Sequence, residues 1–260
     1  MEEESILKER YLRHILLEDV GEEGQKKLAK AKVLVIGVGG LGSPVCMYLS
    51  AAGIGRIGIL DYDTVERGNL QRQIIHATSD IGKSKADSAR MKMQNINPNI
   101  IVDNYFERLN EENAFSIIHN YDFIVDATDN FETKFLVNNT CIQANKPFSH
   151  AGVLKHKAQT MTIIPHKSAC FACIFENTYT KDMNAIFRSG LLGVTPGIIG
   201  CIQASEAIKY FLGIGNLLTN TLLTMDIMAI EFKKTSLQRN PLCPICSLKR
   251  ENLEDKDSNS

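Results

Sequence analysis

Between Lys32 and Val125 the chain repeats one alternation: a compact apolar run, a turn, then a longer stretch whose apolar residues recur at helical spacing. Lys32–Ile36, Arg56–Leu60, Ile100–Tyr105 and Phe123–Val125 read as strands. Gly42–Ala52, Lys83–Asn95 and Glu111–His119 read as the helices between them, the second stopped at Asn97 and Pro98. Parallel strands need crossover connections, which helices supply. The pattern therefore predicts a Rossmann-like α/β fold, with a mostly parallel sheet and helices on both faces.

The flanks differ. Ser5–Leu17 places Ile6, Leu7, Tyr11 and Ile15 at helical spacing, and Glu22–Ala29 forms a second short helical pattern, so residues 1–30 are expected to make a helical arm. Beyond Asp126 the pattern predicts a helix over Phe131–Ala144 and strands over Pro147–Ala151 and Thr160–Ile164. Cys170–Gly190 is irregular and polar, and a glycine-punctuated run then feeds an apolar helix over Ile198–Phe211. Strands over Leu222–Asp226 and Ile230–Lys234 close the fold, with antiparallel members expected toward the C-terminus. Residues 31–248 are read as a single domain. Residues 249–260 are charged, nearly free of apolar side chains and expected to be disordered.

Composition narrows the function. The 260 residues are 44% apolar, enough for a sizeable core, and a net charge of -1 with mixed signs argues against a broad nucleic-acid or membrane surface. No apolar run is long enough to span a bilayer, and the acidic start Met1–Glu4 is unlike a signal peptide, so a cytoplasmic protein is expected. Seven cysteines include two C-x-x-C pairs, Cys170/Cys173 and Cys243/Cys246. Four thiolates suit a closed tetrahedral zinc ion better than a disulfide framework, and a redox role would leave one pair unexplained. Cys46, Cys141 and Cys201 fit buried thiols.

The chemistry concentrates at the carboxyl ends of the strands. Gly37-Val38-Gly39-Gly40-Leu41-Gly42 fits G-x-G-x-x-G between a strand and a helix, and Asp61 ends the next strand, where it can accept from ribose hydroxyls. An NAD-dependent oxidoreductase needs little more than this. Here Asp63, Asn69, Leu70, Gln71, Arg72 and Gln73 follow closely, with Lys83 and Lys85 beyond them. Arginine and lysine gathered beside a glycine loop suit a polyphosphate, hence ATP, although a solvated loop has the same composition. Asp129 and Asn130 follow the Phe123–Val125 strand; Asp129 is placed for magnesium, and the pair also suits capping of the next helix. His76, His119, His150, His156 and His166 show no partner pattern and read as structural or exposed.

Taken together, RYLRH at 10–14, GVGGLG at 37–42, DYDTVERGNLQRQ at 61–73, GKSKA at 82–86, DATDN at 126–130, the cysteine pairs and QASEAIK at 203–209 resemble the ThiF/MoeB/HesA family, bacterial relatives of ubiquitin-activating enzymes. The resemblance runs from about Arg10 to Cys246. It implies ATP-dependent adenylation of the C-terminal glycine carboxylate of a small ubiquitin-like sulfur carrier ending in Gly-Gly, of the thiamine or molybdenum cofactor type. It also implies that Gly40 and Asp61 hold the nucleoside, that Asn69, Arg72 and Lys85 hold phosphates, and that Asp129 coordinates magnesium. Arg13 would reach the ATP of the other subunit of a homodimer. Ile186 stands where many relatives carry a reactive cysteine, so adenylation without a covalent enzyme intermediate is expected, with Cys201 an unfavoured substitute. The segment Glu176–Ser189 would cover the carrier's tail. Because the chain ends soon after Cys246, sulfur is expected from a separate donor. A non-catalytic carrier-binding module is the alternative; intact Arg72 and Asp129 argue against it.

Overall fold

The computed structural model describes the backbone of residues 2–175 and 190–247, and side chains within that range from residue 8 onward. The expected cover over Glu176–Ser189, the Ile186 position and the tail at 249–260 lie outside the described residues.

Two helices, α1 (Glu2–Ile15) and α2 (Gly21–Lys30), precede a regular alternation. It runs β1 (Lys32–Ile36), α3 (Gly42–Ala52), β2 (Arg56–Leu60), α4 (Lys85–Ile96), β3 (Ile101–Tyr105), α5 (Ala114–Ile118), β4 (Phe123–Asp126), α6 (Phe131–Gln143) and β5 (Phe148–Leu154). These strands are parallel, each joined to the next through a helix. Then β6 (Lys157–Ile163), β7 (Thr221–Asp226) and β8 (Glu231–Ser236) add antiparallel members, with α7 (Phe171–Phe175) and α8 (Val194–Leu212) between β6 and β7. Among the described residues the strands form one sheet in the order β3-β2-β1-β4-β5-β6-β7-β8. The chain moves outward from β1 to β3 and returns to β4 on the other side of β1. That switch opens a crevice at the carboxyl ends, where ligands sit in such sheets.

The central strands β1, β2 and β4 are buried along nearly their whole length because both faces are covered, whereas β3, at the sheet edge, carries Asp103 and Asn104 and is only partly buried. In β1, Val33 and Val35 join the core under α3, α4 and α8, whereas Leu34 and Ile36 face α5, α6 and the cysteine pairs. Among the described residues no helix is long and apolar enough to cross a membrane.

Several elements differ from expectation for local reasons. Pro147–Ala151 and Thr160–Ile164 belong to longer strands that meet at a tight turn, with Lys155 in the left-handed region at φ 56°. The α4 helix begins at Lys85, because Lys83 bonds backward to Asp80 and Ser84 caps the helix by accepting from Asp87 N. The α7 helix was absent from the sequence reading, since five residues are too few to display a period. Pro196 falls in the first turn of α8, where its missing N–H costs nothing, so that helix starts four residues earlier than expected.

Candidate functional site

The glycine loop turns sharply from β1 into α3. Gly37 has φ +92°, and a Cβ there would meet Ala127 O at 2.8 Å, while a Cβ on Gly42 would overlap the Gly37 carbonyl oxygen. Both positions therefore require glycine. Asp61 holds the loop from the end of β2: its Oδ2 accepts from Val38 N at 2.8 Å and its Oδ1 from Asp63 N at 2.9 Å. Burial raises the Asp61 pKa, against the opposing pull of Lys85 and these two amides. Its unused lone pairs face the cleft. Underneath, His76 Nε2 lies 3.1 Å from Val38 O and Nδ1 2.9 Å from Ser88 Oγ. A carbonyl can only accept, so Nε2 carries the proton and Nδ1 accepts from the hydroxyl. Burial lowers the His76 pKa and favours that neutral form.

The loop after β2 closes on itself. Val65 N donates to Lys83 O at 2.8 Å, Gly82 N to Val65 O at 2.9 Å and Lys85 N to Asp63 O at 2.9 Å. This places the Lys85 ammonium 2.8 Å from Asp63 Oδ2. Arg72 donates to Gly68 O at 3.2 Å, which aligns its stem along the loop. Buried Asp80 anchors the far end, accepting from Ala77 N, Lys83 and Lys92 at 2.9–3.1 Å.

A cleft of about 1150 Å³ opens over these groups. Gly37, Gly39, Gly40, Asp61, Asp63, Gln71, Arg72, Gln73, Lys85, Asp129 and Asn130 line it. Gly42, Asn69 and Leu70 do not, and Arg13 is exposed on α1, outside the lining. Asn130 caps α6, accepting from Thr133 N at 2.9 Å. The Asp129 carboxylate is exposed and has no recorded hydrogen bond or ion pair among the described residues, which suits a hydrated cation.

The opposite wall holds groups to which the sequence reading gave no role at the site: Asp126 entered only as part of the DATDN motif, His150 as structural or exposed, and Lys134 not at all. Asp126, at the end of β4, is buried; its oxygens accept from Lys134 Nζ at 3.2 and 3.3 Å, from Thr128 Oγ1 at 2.6 Å and from His150 Nδ1 at 2.9 Å. Lys134 also donates to Ala151 O at 2.7 Å. Burial alone would raise the Asp126 pKa, but Lys134 and His150 hold it well below the usual carboxylate range. The His150 pKa is lowered to about 4, by burial first and then by Lys134. The ring packs against Phe171 at 4.5 Å between centroids, tilted by 52°, and lies 6.0 Å from Phe175. His150 Nε2 is buried without a hydrogen-bond partner among the described residues. The pairing of His150 with Asp126 depends on the β4–β5 register, which local sequence does not display.

Beside this wall the cysteine pairs converge. The sulfurs of Cys170 and Cys173, and of Cys170 and Cys243, lie 3.7 Å apart, and those of Cys173 and Cys246 lie 3.4 Å apart. All four fall within 4.8 Å of one another. Tetrahedral zinc with Zn–S bonds near 2.3 Å would set its sulfurs about 3.8 Å apart, so the donor set fits that ion with no open position. Arg239 fastens the second pair, donating to Cys246 O and to His166 O.

A parallel-sheet crevice, a glycine loop facing a cation-lined cleft, and a four-cysteine cage joining the antiparallel end to the core define a Rossmann-like α/β protein with a thiol cluster that could hold zinc. Comparison with known proteins narrows that class: residues 11–245 match the ThiF family, and the chain belongs to it. It is 39% identical over 239 residues to the SAMP-activating enzyme E1 of Haloferax volcanii, covering 92% of this chain and 88% of that protein. It is also 39% identical over 244 residues to the sulfur carrier protein adenylyltransferase of Thermus thermophilus, covering 92% and 90%. The crystal structure of E. coli MccB superposes with a TM-score of 0.77 at 26% identity, over 88% of this chain and 68% of that one. MccB with ATP gives a TM-score of 0.75 at 27% identity, over 85% and 68%. The enzyme class is adenylyltransferase.

Proposed function

We propose that the protein adenylates the C-terminal glycine carboxylate of a small ubiquitin-like sulfur carrier ending in Gly-Gly. The carboxylate oxygen attacks the α-phosphorus of ATP, the bond from that phosphorus to the β-bridging oxygen breaks, and pyrophosphate leaves with the electron pair. The products are an acyl-adenylate and pyrophosphate. A carboxylate is ionised at neutral pH, so no general base is needed, and catalysis rests on positioning and charge neutralisation. The observation that carries this reading is the joint lining of one cleft by the glycine loop, Arg72, Lys85 and the free Asp129 carboxylate.

In this reading Gly40 and Asp61 hold the nucleoside, while Arg72 and Lys85 hold the departing phosphates. Asp129 would hold a magnesium ion, and such an ion would supply charge neutralisation to the phosphates. Asn69, which the family resemblance assigns to the phosphates, stands outside the cleft's lining on the short turn Arg67–Asn69. Arg13, exposed and outside this cleft's lining, serves the cleft of a second copy, with residues 1–30 acting as an arm in a homodimer. Cys170, Cys173, Cys243 and Cys246 would hold a zinc ion with no open position, which would fix the wall behind Phe171. Sulfur then reaches the activated glycine from a separate donor. The reading is supported by the relative named sulfur carrier protein adenylyltransferase.

The test is pyrophosphate release by the purified protein with ATP and a panel of Gly-Gly-ended carriers of the thiamine and molybdenum cofactor types, each beside its tail-truncated form. Release with one intact tail and loss of about 100-fold or more in Arg72→Ala and Asp129→Ala, both folded, is the expected outcome. Fully active variants, or ATP binding without release for any carrier, would contradict it.

A further inference from the structure

We propose that His150 recognises the tail of the activated protein: its Nε2 accepts a hydrogen bond from a backbone N–H of the extended peptide whose terminal carboxylate is adenylated. The inference rests on the adenylation reading and adds a contact on the wall opposite the nucleotide-binding residues.

The tautomer follows from the hydrogen bonds. Asp126 is ion-paired with Lys134 and accepts from Thr128, so it has no proton to give, and the 2.9 Å contact to His150 Nδ1 makes Nδ1–H the donor. Nε2 therefore carries a lone pair. It is buried, has no partner among the described residues, and belongs to a side chain lining the cleft. A buried acceptor without a donor is unfavourable, and natural proteins rarely leave one unless a ligand or water completes it.

The sheet order indicates which donor arrives. His150 on β5 lies two strands from β1 and three from β2, roughly 10 and 15 Å at ordinary strand spacing. Asp61, the ribose acceptor, ends β2, so the ribose hydroxyls and the adenine amino group fall on the far side of the glycine loop. Arg72 and Lys85, placed to receive pyrophosphate, also come from the segment after β2. An in-line displacement puts the attacking oxygen opposite the leaving group, hence toward β4 and β5. The attacking carboxylate offers no donor, but the peptide behind it offers main-chain N–H groups, which a glycine tail retains. The phenylalanine rings against His150 keep water from competing. A general-base role does not suit this imidazole, because a carboxylate nucleophile has no proton to lose.

The test uses the wild-type enzyme and the carrier active in the pyrophosphate assay, rebuilt by chemical ligation so that one tail amide at a time becomes an ester. That change deletes an N–H and keeps the chain's shape. One position is expected to raise the carrier KM about tenfold while the ATP KM is unchanged. His150→Phe should raise the carrier KM by a similar factor and abolish the ester effect, with His150→Asn recovering part of the loss. In ¹⁵N spectra of labelled enzyme, the pyridine-type Nε2 signal should move upfield on adding carrier and stay in place with ATP alone. A flat ester scan, with normal turnover, means that water satisfies Nε2 and overturns the inference while leaving adenylation intact. Absence of adenylation with every carrier removes both. Should His150→Phe fail to fold, the wild-type scan and the Nε2 signal decide without it.

Discussion

Two buried carboxylates brace the cleft from opposite sides, and they differ in what surrounds them. Asp80, behind the nucleotide loop, accepts from Ala77 N and from Lys83 and Lys92, whose side chains are 49% and 33% exposed. Asp126, behind the β4–β5 wall, pairs with Lys134, which is 3% exposed, and with a buried imidazole. In both, burial would raise the carboxyl pKa and the partners hold it far below normal. The Asp80 cluster draws its cations from solvent and closes a local loop. The Asp126 cluster is built wholly in the interior, joins β4, α6 and β5, and ends on an imidazole nitrogen with no partner among the described residues. A closed cluster is a staple; an open one has capacity left for a ligand.

Breaking the interior pair should have the largest effect. Asp126→Ala leaves Lys134 charged and buried, and is expected to cost about 3–5 kcal/mol in urea unfolding. A loss below about 1 kcal/mol would mean that Lys134 escapes to water, and the contrast would fail. Removing zinc comes next: chelation, with metal loss confirmed, should lower the unfolding midpoint and raise amide exchange around α7, while the Asp80 loop keeps its protection. Equal deprotection on both sides would contradict this division. Asp80→Asn should cost less than Asp126→Ala, about 1–3 kcal/mol, because Lys83 and Lys92 can turn to solvent.

Acidification is the gentlest probe. The unfolded chain protonates its imidazoles near pH 6.5, whereas folded His150 stays neutral to about pH 4, so the folded state loses stability as pH falls through that window. Below about pH 4 the depressed carboxyls of Asp80 and Asp126 add a second loss, because they stay ionised in the fold while the unfolded chain takes up protons. His150→Phe should shrink the first phase to the share that buried His76 contributes, and should weaken the second, because Asp126 loses one of the groups that hold its pKa down; an unchanged profile in urea midpoints across pH would contradict the assignment.

Both sides of the cleft were not equally legible. The segment from Gly37 to Lys85 could be read as a phosphate-binding loop because its glycines, carboxylates and cations lie close in sequence and the backbone bonds that organise them are local. His150, Lys134 and Asp126 are spread over three elements and meet through strand register and helix docking. The cysteine pairs were readable despite 69 intervening residues, because C-x-x-C spacing carries its own chemical signature.

By itself, the sequence determined the parallel alternation, the glycine turn, a carboxylate (Asp61) at the end of the second strand and the paired thiols. Each depends on steric freedom, periodic burial or ligand spacing within a few residues. Only the tertiary structure decided which carboxylates are buried, which tautomer His150 adopts, and that β5 stands across the glycine loop from Asp61. Those outcomes depend on desolvation and on distances between strands remote in sequence, and neither quantity exists until the sheet is assembled.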